Sequence, residues 1–242
     1  MPAPPLTVLD EATLFLDLDG TLVELLDQPN AVRAEPELRI LLAKLRHKLE
    51  GRLAIISGRS LEQIDEILGE CATDLAISGS HGCEHRWQGV LARPNRPPTL
   101  DEAANRLRRF AKGRHGVVIE EKSFGVALHY RMAPVVEPEA NALLAALANE
   151  LELCLQPGKM MVELRVAGGD KGLAVQRLMD RAPMKGTAPV FAGDDVTDEA
   201  GFAAARDLGG HAILIGAPRA TSADFSLPSP GALRDWLRVA VR

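Results

Sequence analysis

Apolar positions along the chain follow two interleaved rhythms. Short apolar runs at residues 14–16, 53–56, 75–77, 189–192 and 212–215 read as buried strands. Between them apolar residues return at helical spacing: Leu38, Leu41, Leu42, Leu45 and Leu49, then Leu61, Ile64, Ile67 and Leu68. Gly51 and Gly69 supply the C-terminal stops. Lys171 opens a further helix through Leu178 and Met179, and residues 233–241 predict a closing one. Strands alternating with helices predict an α/β fold built on a doubly wound parallel sheet.

The rhythm breaks at Arg93-Pro94-Asn95-Arg96-Pro97-Pro98, a proline-rich linker pattern. Thr99-Leu100-Asp101-Glu102 matches a capping box and predicts a helix that ends near Gly113. Strand-like segments follow at 117–120 and 126–132, then a helix over 138–151, then an extended segment over 160–166 that runs into Gly168-Gly169. The pattern therefore predicts a core over 1–98, an inserted α+β cap over 99–167, and the second part of the core over 168–242. In the last cap segment Lys159, Met161, Glu163 and Arg165 face one way and Met160, Val162, Leu164 and Val166 the other. Lys159 and Glu163 then share a face, suited to donating to and accepting from hydroxyl groups. His129 and Arg131 likewise oppose Val126, Leu128, Tyr130 and Met132. The plain reading of such a face is a sheet washed by solvent.

Composition narrows the classes. With 242 residues, 46% hydrophobic and 25% charged, the chain reads as one or two globular domains. A net charge of -5 argues against nucleic acid or an anionic membrane as the main partner. No apolar run is long enough to span a bilayer, and Met1-Pro2-Ala3-Pro4-Pro5 lacks the basic-then-apolar pattern of a secretory signal. Cys71, Cys83 and Cys154 are scattered without CxxC spacing, which fits a reducing compartment. A cytoplasmic monomer acting on a small molecule is the expectation.

The chemistry gathers where predicted core strands end or a core helix begins: Asp17 and Asp19, Ser57 and Arg59, Lys171, and Asp194, Asp195 and Asp198. Ligands of open parallel sheets bind outside the carboxyl ends of the strands. Each cluster has a bland alternative: a turn, a helix cap, a solvated lysine. In extended backbone Asp17 and Asp19 face one space, and Gly20 lets the chain turn away, with Thr21 free to bond locally. Five aspartates in one cleft cannot all stay ionised without a cation, and hard oxygens select Mg2+. Lys171 and the amide-rich turn after Ser57 can hold a phosphate dianion. The roles follow: Asp17 as nucleophile, Asp19 as acid and then base, with Asp17, the Asp19 carbonyl and Asp194 on Mg2+. Asp195 and Asp198 orient metal-bound water or Lys171.

Asp17-Leu-Asp-Gly-Thr21, Ser57, Lys171 and Gly193-Asp-Asp-Val-Thr-Asp198 resemble the four motifs of the haloacid dehalogenase superfamily of phosphatases. More narrowly, Ile56-Ser-Gly-Arg-Ser60, His81-Gly82, Ala127-Leu-His-Tyr-Arg131, Gly158-Lys-Met-Met-Val-Glu163 and Gly193-Asp-Asp-Val-Thr-Asp-Glu199 resemble the trehalose-6-phosphate phosphatase family. The resemblance covers residues 14–216. It implies a core with a mobile lid, and hydrolysis of trehalose 6-phosphate to trehalose and phosphate. It implies substrate contacts by Arg59, His81 and Gly82, and contacts to the disaccharide by Glu120, Lys122, Arg131, Lys159 and Glu163. Asp170, before Lys171, departs from the small hydroxyl or amide residue frequent in the family. Two other readings stay open: a phosphatase or mutase for another sugar phosphate, and a phospho-accepting signalling module. Asp19 and the large insertion argue against the second.

Overall fold

The computed structural model describes residues 1–25, 32–158, 160–167 and 169–242; Lys159 and Gly168 lie outside the described residues. Along the chain, β1 (Ala12–Leu16) leads to α1 (Pro36–Lys48), β2 (Leu53–Ile56), α2 (Leu61–Leu68) and β3 (Ala76–Gly79). A hairpin of β4 (Glu84–Trp87) and β5 (Val90–Ala92) follows. Next come α3 (Pro98–Ala111), β6 (Val118–Lys122), β7 (Gly125–His129), α4 (Glu137–Glu150), β8 (Cys154–Gly158) and β9 (Met161–Arg165). The chain closes with α5 (Lys171–Met179), β10 (Ala188–Gly193), α6 (Glu199–Asp207), β11 (His211–Ile215), β12 (Phe225–Leu227) and α7 (Pro230–Ala240). It divides into two compact units, Met1–Ala92 with Asp170–Arg242, and Arg93–Gly169.

In the first unit the described strands run β12-β11-β10-β1-β2-β3-β4-β5. From β12 to β3 every pairing is parallel, which is the α/β sheet that the alternating pattern predicts. Because β1, β2, β3, β10 and β11 are buried on both faces, successive side chains feed two cores. Leu14, Leu16, Ile55, Val190 and Ile213 pack toward α1, α2 and α7. Phe15, Ile56, Phe191 and Leu214 pack toward α5 and α6. The sheet does not stay parallel: β4 and β5 pair antiparallel on its β3 side. Glu84-His85-Arg86-Trp87 carries no apolar alternation, and Val90-Leu91-Ala92 is a three-residue apolar run left exposed, so the hairpin lacks the pattern of a buried strand.

In the second unit the described strands form an antiparallel sheet, β6-β7-β9-β8. Leu100, Leu107, Leu144 and Leu147 of α3 and α4 pack on Val126, Leu128, Val162 and Leu164. Two expectations are corrected here. α3 begins at Pro98 with Pro97 as N-cap and no capping side chain, so Thr99 lies inside the first turn. The N1 proline decides it: its fixed φ suits the first helical position, and its missing N–H is one the helix leaves unpaired anyway. β7 ends at His129, and Arg131 lies in the turn beyond it. Among the described residues no helix is long and apolar enough to cross a membrane.

Candidate active site

β1 and β10 are neighbours in register, Leu16 beside Ala192, so their carboxyl ends deliver Asp17 and Asp194 to one place. Lys171, at the first position of α5, is buried, and its Nζ donates to Asp17 Oδ1 at 2.8 Å and Asp198 Oδ1 at 2.5 Å. Asp170 precedes it as the N-cap. Its carboxylate accepts from the Leu173 amide at 2.7 Å and caps α5, so the departure from the family pattern is a working N-cap. The other oxygen of Asp198 accepts from the amides of Asp194 and Asp195, both at 2.9 Å. Asp195 itself is exposed and turns its carboxylate to the Val196 amide at 2.7 Å.

Among the described residues, Asp17, Asp194 and Asp198 bring carboxylate oxygens within 4.8 Å of one another. Three carboxylates thus face one ammonium. Burial first, and then the charges of Asp198 and Asp194, push the Asp17 carboxyl well above the usual range despite Lys171. Burial and Asp198 likewise raise Asp194 to about 6. Burial works against the charge of Lys171, but Asp17 and Asp198 outweigh it and hold the ammonium protonated. The excess of hard anionic oxygen is a donor set suited to a small divalent cation. Gly20 belongs to this cluster: at φ +78° any side chain is strained, and a Cβ there would collide with the Asp194 carboxylate. Thr21, expected to bond locally, instead donates to Asp194 Oδ1 at 3.3 Å.

Asp19 takes a different partner. Arg59 grips it in a two-pronged pair, Nε to Oδ2 and Nη2 to Oδ1, both at 2.6 Å. Arg59 sits in the turn after β2, where the buried Ser57 hydroxyl accepts from the Arg59 amide at 3.2 Å. Ser60 and Gln63 then form the capping box that starts α2. The same turn is bonded to the one after β3, Ser80 N to Arg59 O at 2.7 Å and His81 N to Ser57 O at 3.0 Å. His81 has φ +54°, and its imidazole lies where a side chain on Gly58 would be. Beneath, the fully buried Glu84 accepts from Ser80 Oγ at 2.6 Å and from the Leu61 amide at 3.2 Å. Sequence reasoning missed Glu84, since a lone acid in a polar run gives no signal. It missed Arg219 as well, whose partners include the backbone carbonyls of Asp194 and Asp195.

In the second unit, register places Glu120, Ala127, Glu163 and Gln156 in one row across the sheet. Glu120, Lys122 and Glu163 therefore share a face, opposite Val162 and Leu164. That face is not simply washed by solvent: Glu163 is 4% exposed and pairs with Lys122 Nζ at 2.6 Å. Glu120 pairs with His129 Nε2 at 2.9 Å.

The comparisons with known proteins agree. The trehalose-phosphatase family model matches residues 15–230. A probable trehalose-phosphate phosphatase of Sinorhizobium fredii is 38% identical over 94% of this chain and 87% of its own. The trehalose-6-phosphate phosphatase of Escherichia coli is 36% identical over 93% of this chain and 85% of its own. A solved trehalose-6-phosphate phosphatase related protein superposes with a TM-score of 0.81 at 27% identity, over 94% of this chain and 96% of that one. The fold is shared with a phosphatase of the haloalkanoate (HAD) superfamily from Bacteroides thetaiotaomicron, with a TM-score of 0.61 at 17% identity and 96% of each chain covered. On the extent of these matches, the chain belongs to the trehalose-phosphatase family.

Proposed function

We propose that the protein is a Mg2+-dependent phosphatase that hydrolyses trehalose 6-phosphate to trehalose and phosphate by way of an aspartyl-phosphate on Asp17. The observation that supports this most is the cluster of buried Asp17, Lys171 and Asp198 with half-buried Asp194 in a chain of the trehalose-phosphatase family. Asp17, Asp194 and the backbone carbonyl of Asp19 are the groups that would hold Mg2+. When bound, the ion supplies neutralisation of negative charge so that an anionic ester can approach a carboxylate.

The remaining work falls to the chain's own side chains. Asp17 forms a bond to phosphorus as the bond to the sugar oxygen breaks. Asp19 gives a proton to the departing alkoxide, then takes one from the water that cleaves the phosphorylated Asp17. Lys171 holds a phosphate oxygen and offsets the charge of Asp17, while Ser57 and the amides after it receive the phosphate. Asp198 aims Lys171 and secures the amides of Asp194 and Asp195. Arg59 releases Asp19 when the incoming phosphate competes for its guanidinium. Glu120, Lys122, Arg131, Lys159 and Glu163 are the candidate contacts to the disaccharide, His81 and Gly82 are further candidate substrate contacts, and residues 99–167 are the candidate lid.

A phosphate-release assay over a panel of sugar phosphates tests the reading. Trehalose 6-phosphate should exceed glucose 6-phosphate in kcat/KM by at least about tenfold, and exhaustive chelation should abolish turnover until Mg2+ is restored. Equal rates across the panel would favour a general sugar-phosphate phosphatase, and turnover untouched by chelation would remove the metal.

A further inference from the structure

Arg219 lies in the loop after β11, outside the clusters picked out above, and its guanidinium brackets the Asp194-Asp195 turn. Its Nε donates to the carbonyl of Asp194 at 3.3 Å and its Nη2 to that of Asp195 at 2.7 Å. Its Nη1 donates to Glu199 Oε1 and, at 3.0 Å, to the Ala220 carbonyl. Glu199 is anchored in turn. Thr221 Oγ1 donates to its Oε1 at 2.7 Å, and the Ser222 amide and hydroxyl donate to its Oε2 at 2.9 and 2.7 Å. Asp198 Oδ2 meanwhile accepts from the amides of the same two aspartates at 2.9 Å each.

The turn is thus held by its amides from one side and by its carbonyls from the other. A turn that only reversed the chain would need neither grip. The turn so gripped carries the Asp194 carboxylate, which completes the group with Asp17 and Asp198. The planar fork reaches two carbonyls and a carboxylate from three separate nitrogens, whereas a lysine ammonium offers a single point charge.

We infer that Arg219, anchored by Glu199, is a positioning residue that presets the Asp194-Asp195 turn for a divalent cation. The inference rests on the metal reading given under the proposed function. Loss of a partner that orients a metal ligand typically weakens metal affinity by about 10–100-fold.

The test is titration of Mn2+, followed by its electron paramagnetic resonance signal, into metal-stripped parent, R219A, R219K and E199Q. Circular dichroism and urea midpoints identify the variants that fold. R219A should raise the Mn2+ Kd by about 10–100-fold, with R219K and E199Q in between, and kcat at saturating Mg2+ should fall less than affinity does. If R219A does not fold, R219K and E199Q carry the same comparison. Folded variants with an Mn2+ Kd within about twofold of the parent overturn the inference while leaving the metal reading standing. A parent that binds no Mn2+ removes the metal reading and this inference together.

Discussion

Asp17 and Asp19 stand two residues apart yet take different cations, Lys171 for one and Arg59 for the other. The sequence makes their placement legible, because an apolar run that stops at two carboxylates must present them at a strand end. It does not reveal the pairings, since the partners lie 154 and 40 residues away and only the folded sheet brings them near. The proposed acid role of Asp19 has a direct consequence. Asp19→Asn should lower kcat for trehalose 6-phosphate by about 10²–10⁴-fold, the usual weight of general acid–base catalysis. Phosphorylation of the enzyme by p-nitrophenyl phosphate should suffer less, because that leaving group departs without a proton. Rapid-quench measurement of the first turnover separates the two, and equal losses for both esters would contradict the role.

At the scale of elements, α5 shows how a local signal carries over to the site. Asp170 caps the helix whose first residue is Lys171, so cap and ammonium are set by one turn. Asp170→Ala should cost about 1 kcal/mol in urea denaturation and lower kcat through a misplaced Lys171; a variant with parental kcat would show that the cap does not set the lysine. The β4–β5 hairpin was illegible for the opposite reason: β4 is polar, β5 is only three exposed apolar residues, and the register comes from β3 rather than from their own pattern. It brings His85 against Arg177, whose Nη1 lies 3.1 Å from His85 Nε2. Burial first, and then the Arg177 charge, hold the imidazole below its usual 6.5 and hence neutral. A base whose folded value is depressed contributes stability that is complete above about 6.5 and lost as pH falls below it. Urea midpoints between pH 7.5 and about 5 should therefore decline more steeply for the parent than for His85→Gln. Parallel curves would contradict the assignment.

Over the whole molecule, each unit closes a hydrophobic core of its own, and the β-α alternation of the first was readable because doubly buried strands leave continuous apolar runs. The antiparallel sheet of the second alternates apolar and charged positions, which revealed its faces but not that Glu163 would be buried against Lys122. The site draws on both ends of the chain: Asp17 comes from the first strand, and Lys171, Asp194 and Asp198 from beyond the insertion. Folding therefore assembles a largely buried cluster with more carboxylates than cations, and the central claim is that a metal and a phosphate ester complete it, with Asp17 accepting the phosphoryl group. The most direct measurement is acid quench of enzyme turning over trehalose 6-phosphate with Mg2+, followed by mass spectrometry of the peptide that contains Asp17. The account predicts one phosphoryl group on Asp17, cleaved by hydroxylamine and missing from Asp17→Asn. Steady phosphate release with Asp17 unmodified at every quench time, and with Asp17→Asn as active as the parent, would contradict it.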